Sequence, residues 1–229
     1  MLAERTSNLR DARASRISGL YAVTPDIADT GALVAKVIAA LDGGATVVQY
    51  RNKTLPPHGR RTQAKALAHV HAARDALFIV NDDPQLAVDV DADGVHLGEH
   101  DAGVAGARAC IGPDRLIGVS CYGDFNRARD AVRQGADYVA FGSFFASSVK
   151  PDARRADMAL LAHSRELCVP VVAIGGITAA NASQLIEAGA SAVAVISDVF
   201  AHDDLTDVTR AASAVASLFA RERIAGTRR

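Results

Sequence analysis

Cysteine is scarce in this sequence, and its few copies are not arranged for pairing. The 229 residues contain three cysteines, Cys110, Cys121 and Cys168, and no two of them stand in the C-x-x-C spacing of a structural zinc site. An odd number of scattered cysteines also argues against a disulfide framework. We therefore expect neither disulfides nor structural zinc, and we expect a cytoplasmic protein in a reducing compartment.

An excess of charge of either sign is absent as well. The chain has 25 basic and 26 acidic side chains, a formal net charge of -1, and 49% hydrophobic residues. Such a balance gives no general attraction to nucleic acid or to a membrane surface, so we expect partners of neither kind. The length and apolar content are sufficient to bury a full core.

The start of the chain lacks the long apolar run of a secretory signal or a membrane span. It carries four arginines instead, at positions 5, 10, 13 and 16, and we expect residues 1–18 to form a flexible N-terminal arm. An arginine-rich start is also typical of organelle transit peptides, but Glu4 and Asp11 argue against that alternative. At the other end of the chain, we expect residues 223–229 to form a frayed C-terminal tail.

The dinucleotide-binding motif G-x-G-x-x-G is missing after the first apolar run, where the letters AVTPD stand. Its absence counts against an open, doubly wound sheet. The sequence has instead eight short, β-branched runs: GLYAVT, ATVVQY, LFIV, DGVHL, LIGVS, DYVAFG, VPVVAIGG and SAVAVIS. Continuously apolar runs indicate parallel strands buried on both faces, and stretches with helical spacing lie between them. The sequence therefore predicts a single (βα)8 TIM barrel of the α/β class over residues 19–222.

Polar side chains follow the second of these runs, in the stretch GGATVVQYRNK. Gln49, Arg51 and Lys53 occupy alternate positions and point to one side of an extended chain, while Tyr50 and Asn52 point to the other. The reacting groups of a TIM barrel lie on the loops that follow its strands, so this row is placed to grip an anion. Ordinary surface polarity at a strand end is the alternative interpretation.

Acidic side chains follow the third and fourth runs. Asn81 and Asp82 end the third strand, ahead of Asp83, whose position before a proline indicates a helix N-cap. Glu99 and Asp101 follow the fourth strand, although capping alone would also explain Asp101. Adjacent strands bring Asp82 and Asp101 to the same part of the rim, where two carboxylates suit Mg²⁺ together with water and phosphate oxygens.

A second anion site is predicted farther along the chain. The loop GSFFASSVKPD, after the sixth strand, delivers one cation, Lys150. Strands seven and eight end in Gly175-Gly176 and Ile196-Ser197, and loops at these positions of a barrel often cradle phosphate with backbone N–H groups. A simple tight turn is the alternative for the two glycines.

Two further candidates decide little by themselves. Ser120, at the end of the fifth strand, is either a hydrogen-bond donor at the rim or a satisfied core hydroxyl. His96 and His100 are four residues apart, but they straddle a strand end and have no third ligand with convincing spacing, which disfavours zinc. No Ser-His-Asp or Cys-His arrangement follows from the spacing, so we expect chemistry driven by charge.

Taken together, these motifs resemble the thiamine-phosphate synthase family, whose members join a pyrimidine pyrophosphate to a thiazole phosphate. The resemblance runs from LYAVTPD, beginning at Leu20, to VISDVF, ending at Phe200. Its most specific parts are Q-x-R-x-K at Gln49, the ND pair, GVHLGEHD, GVS, Lys150-Pro151 and AIGGI. The resemblance implies a Mg²⁺-dependent transferase in which pyrophosphate leaves first and the thiazole nitrogen captures a pyrimidine cation.

The same resemblance implies roles for individual residues. The pyrimidine pyrophosphate would be held by Gln49, Arg51, Lys53, Asn81, Ser120 and Lys150, with Tyr50 and Asn52 beside them in the substrate-binding set. The catalytic residues would be Arg51, Lys53, Ser120 and Lys150. Asp82 and Asp101 would bind Mg²⁺. The thiazole phosphate would be held by Ser147, Ser148, Val149, Gly176, Ile196 and Ser197. Val149 and Tyr122 depart from the threonine and histidine that many relatives carry.

Two alternatives remain beside this interpretation. A thiazole tautomerase of the same fold would isomerise the thiazole without coupling it, but it needs no pyrophosphate clamp. A regulatory protein that senses thiamine phosphate would bind the product without turning it over. Under each interpretation we expect small-molecule ligands, and formation of a homo-oligomer stays open.

Overall fold

Eight parallel strands close into a barrel in the structure, a computed structural model that describes residues 10–98, 103–146 and 155–226. Each strand pairs with the next in chain order, and the first pairs with the last. The strands are β1 (Gly19–Val23), β2 (Ala45–Tyr50), β3 (Leu77–Asn81), β4 (Gly94–Leu97), β5 (Leu116–Tyr122), β6 (Tyr138–Gly142), β7 (Val171–Ile174) and β8 (Ala192–Val195). The predicted single (βα)8 TIM barrel is confirmed, and each of the eight apolar runs forms one strand.

Helices cover the outside of the barrel. In chain order after β1, the helices of the described residues are α1 (Thr30–Asp42), α2 (Pro57–His71), α3 (Pro84–Asp89), α4 (Val104–Ile111), α5 (Phe125–Arg133), α6 (Ala159–His163), α7 (Ala182–Glu187), α8 (Ser197–Phe200) and α9 (Leu205–Gly226). A single 3₁₀ turn, Ser164–Leu167, follows α6. Within the described ranges, no helix has both the length and the hydropathy needed to cross a bilayer.

Aspartates begin several of these helices. The side chains of Asp29, Asp83 and Asp124 each accept a hydrogen bond from the backbone N–H three residues on, at 2.6, 2.9 and 3.1 Å. These caps satisfy N–H groups that have no partner inside the helix. The N-cap predicted at Asp83 is therefore confirmed, and its neighbour Asp82 is left to the rim of the barrel.

The barrel interior is filled by side chains from alternate strand positions. Most of them are aliphatic, but Tyr21 of β1 and Tyr138 of β6 also lie there, with at most 1% of their surface exposed. Gly118 of β5 makes room for Tyr138, because a Cβ at this glycine would lie 2.0 Å from the ring atom Cζ. Ile17, which is fully buried, packs into the same interior cluster from the N-terminal side.

The described part of the predicted N-terminal arm packs against the barrel. Residues 10–14 are helical, and the Nε atom of Arg10 lies 3.1 Å from the carboxylate of Asp137, directly before β6. Arg13 donates from Nη1 to the carbonyl of Asp114 at 3.0 Å. Arginines of residues 10–18 thus contact oxygen atoms at the N-terminal ends of the strands, while the flexible arm stays a prediction. Residues 1–9 lie outside the described residues.

We expect Gly118→Ala to destabilise the barrel, because the added methyl group would overlap the ring of Tyr138 inside a closed wall. Overpacking of this kind typically costs about 1–3 kcal/mol of unfolding free energy. Urea unfolding followed by circular dichroism measures the change. Gly59→Ala is the matched control, since a Cβ at that position of α2 would lie 3.5 Å from Leu55 and should be neutral or slightly stabilising. Equal stability of Gly118→Ala and the unaltered protein would contradict this packing account.

Candidate active site

Polar side chains gather at the C-terminal rim of the barrel, as expected for residues that follow parallel strands. Those that the structure describes are Gln49, Arg51, Lys53, Asn81, Asp82 and Ser120, carried by β2, β3, β5 and the loops directly after β2 and β3. Seven residues singled out from the sequence lie outside the described residues: Glu99, His100, Asp101, Ser147, Ser148, Val149 and Lys150. Their roles stay predictions.

The two cations of the Q-x-R-x-K motif lie at the rim, and each faces a carboxylate. The Nη1 atom of Arg51 is 3.4 Å from Asp26, and the Nζ atom of Lys53 is 3.0 Å from Asp82. All four side chains are partly exposed to solvent. Exposed ion pairs contribute only about 0–1 kcal/mol, so both cations can exchange their carboxylates for an incoming anion at small cost.

Asp26 is a rim carboxylate that was not selected from the sequence. Its Oδ1 atom accepts the backbone N–H of Lys53 at 2.7 Å, which holds the loop after β2 in place. Thr24 adds a second tie, because its hydroxyl accepts the N–H of Arg51 and donates to the carbonyl of the same residue, both at 2.8 Å. The signal was present in the letters AVTPD, since Asp26 follows the end of the first strand by three residues and Asp82 follows the end of the third by one.

Tyr50 and Asn52, on the other side of the row, are buried and hydrogen-bonded within the protein. The hydroxyl of Tyr50 donates to Gln63 at 3.0 Å, and burial raises the pKa of this hydroxyl to about 12. Asn52 donates to the carbonyl of Ile27 at 3.0 Å and accepts the N–H of Leu55 at 3.0 Å. Both residues therefore support the loop that carries the two cations, while their contact with substrate stays a prediction.

A cavity of about 180 Å³ opens beside this loop. It is lined by Tyr50, Asn52, Lys53, Arg60, Asn81, Asp82 and Leu86. Arg60, from α2, is a further cation that was not selected from the sequence, and its buried Nε atom has no hydrogen-bond partner among the described residues. The sequence does not distinguish Arg60 from the other polar residues in the first turns of α2, so its position at an anion site could not be predicted. In the fold, however, its guanidinium adds to a wall that suits an anion.

Asp82 combines an unusual backbone with a carboxylate at the cavity wall. Its φ angle is 63°, in the left-handed region that non-glycine residues seldom adopt, and its N–H donates to the carbonyl of His96 at 2.8 Å. Mg²⁺ is often held by one or two carboxylates together with water and substrate oxygens, and Asp82 fits that requirement. Within the described part of the chain there is no cluster of three or more His, Cys, Asp or Glu side chains, and Asp101 lies beyond it.

A chain of hydrogen bonds crosses the barrel interior from Gln49 to Ser120. The Nε2 atom of Gln49 donates to the hydroxyl of Tyr21 at 2.8 Å, and the hydroxyls of Tyr21 and Tyr138 are 2.9 Å apart. His96 continues the chain, with Nδ1 at 3.2 Å from the Tyr138 hydroxyl and Nε2 at 2.9 Å from Ser120. Burial lowers the pKa of His96 to about 4, so the imidazole is neutral near pH 7. Both of its ring nitrogens are engaged inside the protein, which agrees with the interpretation against zinc.

A second cavity, of about 390 Å³, lies at the ends of β7 and β8. Three residues predicted to hold a phosphate line it: Gly176, Ile196 and Ser197. Gly176 has a φ angle of 62°, and a Cβ there would lie 2.2 Å from the carbonyl oxygen of Ala146. This glycine is needed both for its backbone conformation and for the close approach of a neighbouring loop. The glycine thus forms a tight turn that also lines the cavity, and phosphate binding there stays a prediction.

The fold and the two cavities define a class of protein. A closed (βα)8 barrel that places cations, a carboxylate and a glycine turn around cavities at its C-terminal rim is an enzyme scaffold for small anionic molecules. The family model described as thiamine monophosphate synthase matches residues 20–199, which is most of the chain.

Individual relatives agree with the family model. The thiamine-phosphate synthase of Methylobacillus flagellatus is 53% identical over 189 residues, covering 82% of this chain and 90% of the relative. That of Thiobacillus denitrificans is 52% identical over 205 residues, covering 89% and 96%. The solved thiamine phosphate pyrophosphorylase of Pyrococcus furiosus is 33% identical with a TM-score of 0.80, covering 91% of this chain and 98% of its own. The chain belongs to the thiamine monophosphate synthase family and is a transferase of thiamine biosynthesis.

We expect Arg60→Met to weaken the binding of inorganic pyrophosphate about tenfold, because a charge-assisted hydrogen bond contributes about 1.5–3 kcal/mol. Methionine keeps much of the apolar stem and removes the charge. Isothermal titration calorimetry in the presence of Mg²⁺ measures the dissociation constant. Arg61→Met is the control, since the neighbouring Arg61 pairs with Asp89 and does not line the cavity. Equal dissociation constants for the two variants would remove Arg60 from the anion site.

Proposed function

We propose that this transferase joins 4-amino-2-methyl-5-hydroxymethylpyrimidine pyrophosphate to thiazole phosphate, giving thiamine phosphate and pyrophosphate, with Mg²⁺ as cofactor. The observation that carries the proposal is the presence of two separate cavities on one rim. The first has Lys53, Arg60 and Asp82 in its wall, and the second has Gly176 and Ser197. Two phosphorylated substrates need two anion sites, and the names of the relatives supply thiamine phosphate as the product.

The first cavity is assigned to the pyrophosphate. Arg51 and Lys53 face it from the loop after β2, and each would exchange a weak carboxylate contact for phosphate oxygens. Lys150, in the loop after β6, would add a further cation. Gln49 of β2 and Ser120 of β5 would contact the pyrimidine ring. This assignment uses each cation of the motif for the group that carries most of the substrate's charge.

The second cavity is assigned to the thiazole phosphate. Gly176 lets the main chain approach closely, and Ile196 and Ser197 complete the wall at the end of β8. Ser147, Ser148 and Val149, in the loop after β6, would hold the phosphate as well. Since Val149 has no hydroxyl, the two serines and backbone N–H groups would supply the donors on that side.

Asp82, together with Asp101, would hold Mg²⁺ next to the leaving group. The bound ion supplies positive charge toward the pyrophosphate oxygens, in addition to the charge of the side chains. The carboxylate of Asp82 is within reach for this role because it is partly exposed at the cavity wall, where it faces Lys53.

The proposed reaction exchanges one bond for another without a net proton transfer. The bond between the methylene carbon of the pyrimidine and the pyrophosphate oxygen breaks, and its electron pair leaves with the pyrophosphate. The electron-poor carbon then accepts the lone pair of the thiazole nitrogen, which forms the new C–N bond. The main task of the protein is to stabilise charge that grows on the leaving group. One well-placed donor of this kind is worth about 10²–10³-fold in kcat.

The reaction is proposed to take place in the cytoplasm. Cys110, Cys121 and Cys168 are all free thiols, and Cys110 and Cys168 are exposed. Exposed unpaired thiols are typical of proteins in a reducing compartment.

The direct test is an incubation of the purified protein with both phosphorylated precursors, with Mg²⁺ or with EDTA, followed by chromatography of thiamine phosphate and pyrophosphate. We expect both products in equal amounts, and only with the metal. Isomerised thiazole without coupling would establish the tautomerase instead. Tight binding of thiamine phosphate without any turnover would establish the sensor.

We expect Asp82→Asn to raise the Mg²⁺ concentration needed for half-maximal activity about tenfold or more, because an amide oxygen carries no charge for the ion. Asparagine tolerates the left-handed backbone at this position, so the loop should keep its shape. A Mg²⁺ titration of the initial rate measures the effect. Asp83→Asn is the control: it removes the adjacent charge, yet asparagine caps α3 as well as aspartate does. Coincident titration curves for both variants would assign Asp82 to its ion pair with Lys53 alone.

A further inference from the structure

We propose that Tyr21, Tyr138 and His96 form a one-directional hydrogen-bond relay that joins Gln49 to Ser120. The relay sets the hydroxyl of Ser120 as a donor, and the side-chain oxygen of Gln49 as an acceptor, toward the mouth of the barrel. The three relay residues are positioning residues, because they act through the two groups that face the ligand. That the ligand is a pyrimidine rests on the proposed function, whereas the direction of the relay does not.

The relay lies where water has little access. Tyr21 and Tyr138 are at most 1% exposed, and Gln49 and His96 are 5% and 7% exposed. The ring of His96 lies 5.6 Å from that of Tyr138, which lies 6.2 Å from that of Tyr21, so the three rings form one packed row. In such a place a donor without an acceptor costs about 1–3 kcal/mol, and each proton is therefore expected to have a partner.

The direction of the relay follows from counting protons. Gln49 donates from Nε2 to the hydroxyl of Tyr21, so the single proton of Tyr21 must go to its other neighbour, Tyr138. The proton of Tyr138 must in turn go to Nδ1 of His96. Nδ1 is then an acceptor, and Nε2 carries the imidazole proton and donates it to Ser120. The hydroxyl proton of Ser120 is left for a partner at the mouth.

The opposite direction is the other arrangement that places one proton in each of the four contacts and leaves no buried donor without an acceptor. With the amide of Gln49 turned around, Tyr21 would donate to Gln49, Tyr138 to Tyr21, and His96 from Nδ1 to Tyr138. Ser120 would then donate to Nε2 and present only lone pairs to the mouth. Mixtures of the two directions are excluded in two ways. A converging mixture leaves one tyrosine hydroxyl accepting twice with no acceptor for its own proton, and a diverging mixture leaves no proton between the two tyrosine oxygens, which are 2.9 Å apart. The relay is thus a two-state element set at its Gln49 end.

This direction has a consequence for recognition. A ligand held between the two ends must offer an acceptor atom to Ser120 and a donor group to Gln49. An aminopyrimidine carries both kinds of atom, a ring nitrogen and an exocyclic amino group. A ring with the same shape but the reversed pattern would leave two polar groups unpaired at the mouth, which costs more than the loss of either bond alone.

The tautomer of His96 reports the direction of the relay. In protein labelled with ¹⁵N-histidine, long-range ¹H–¹⁵N correlations distinguish an imidazole protonated at Nε2 from one protonated at Nδ1, and His96→Gln identifies the signals. We expect the Nε2–H form as the major species. The Nδ1–H form, or rapid averaging between the two, would overturn the proposal.

Gln49→Glu tests whether the relay transmits its direction. An ionised carboxylate can only accept, so Tyr21 must donate to it, and we expect the His96 tautomer to shift to Nδ1–H across the barrel. Ionisation of the new carboxylate is verified by its ¹³C shift. Retention of the Nε2–H form beside an ionised carboxylate would overturn transmission.

Tyr138→Phe provides a second variant, should the first not fold. It removes the bond to Nδ1 of His96, so the ¹⁵N shift of Nδ1 should move toward that of an unbonded nitrogen. Tyr50→Phe, which removes a buried hydroxyl outside the barrel interior, should leave that shift unchanged. An unchanged shift in Tyr138→Phe would overturn the relay. The spectra are recorded without substrates, so failure of the coupling reaction and failure of the relay are distinguishable.

Discussion

The interior of a closed eight-stranded barrel can be filled only by side chains, and this constraint governs the rest of the structure. Here the filling includes two tyrosine hydroxyls and an imidazole, which must bond to one another because little water reaches them. The same side chains must therefore both fill the interior and satisfy one another's hydrogen bonds. Tyr138 fits only because β5 carries a glycine at position 118. A small residue deep in the wall thus makes room for a hydroxyl that contacts both Tyr21 and His96.

Periodicity and strand ends made the barrel and much of its rim predictable from the sequence. Alternation along β2 correctly separated Gln49 from Tyr50, because a strand buried on both faces leaves each side chain only two directions. The contact between Tyr21 and Tyr138 could not be predicted, since 117 residues separate them and their strands are not neighbours. Arg60 was missed for a related reason: its direction depends on how α2 packs, and the helix pattern alone does not report that.

The charges at the rim are compensated before any ligand arrives. Arg51 lies against Asp26 and Lys53 against Asp82, so each cation is held at the rim by a weak partner. On the proposed function, Asp82 would release Lys53 when it turns to Mg²⁺, and the freed ammonium group would face the pyrophosphate. Metal and anion would then favour each other's binding, since each relieves a charge that the other leaves behind.

The opposite end of the barrel is held by a different set of charges. Asp137, only 7% exposed at its side chain, receives Arg10 from the N-terminal helical segment and Arg108 from α4. Ser15, a few residues beyond Arg10, is exposed on this same side. A fluorescent dye or surface tether fixed at Ser15 would thus lie at the opposite end of the barrel from the candidate site. Attachment of the protein to a surface through Ser15 would therefore leave the C-terminal rim of the barrel open to solution.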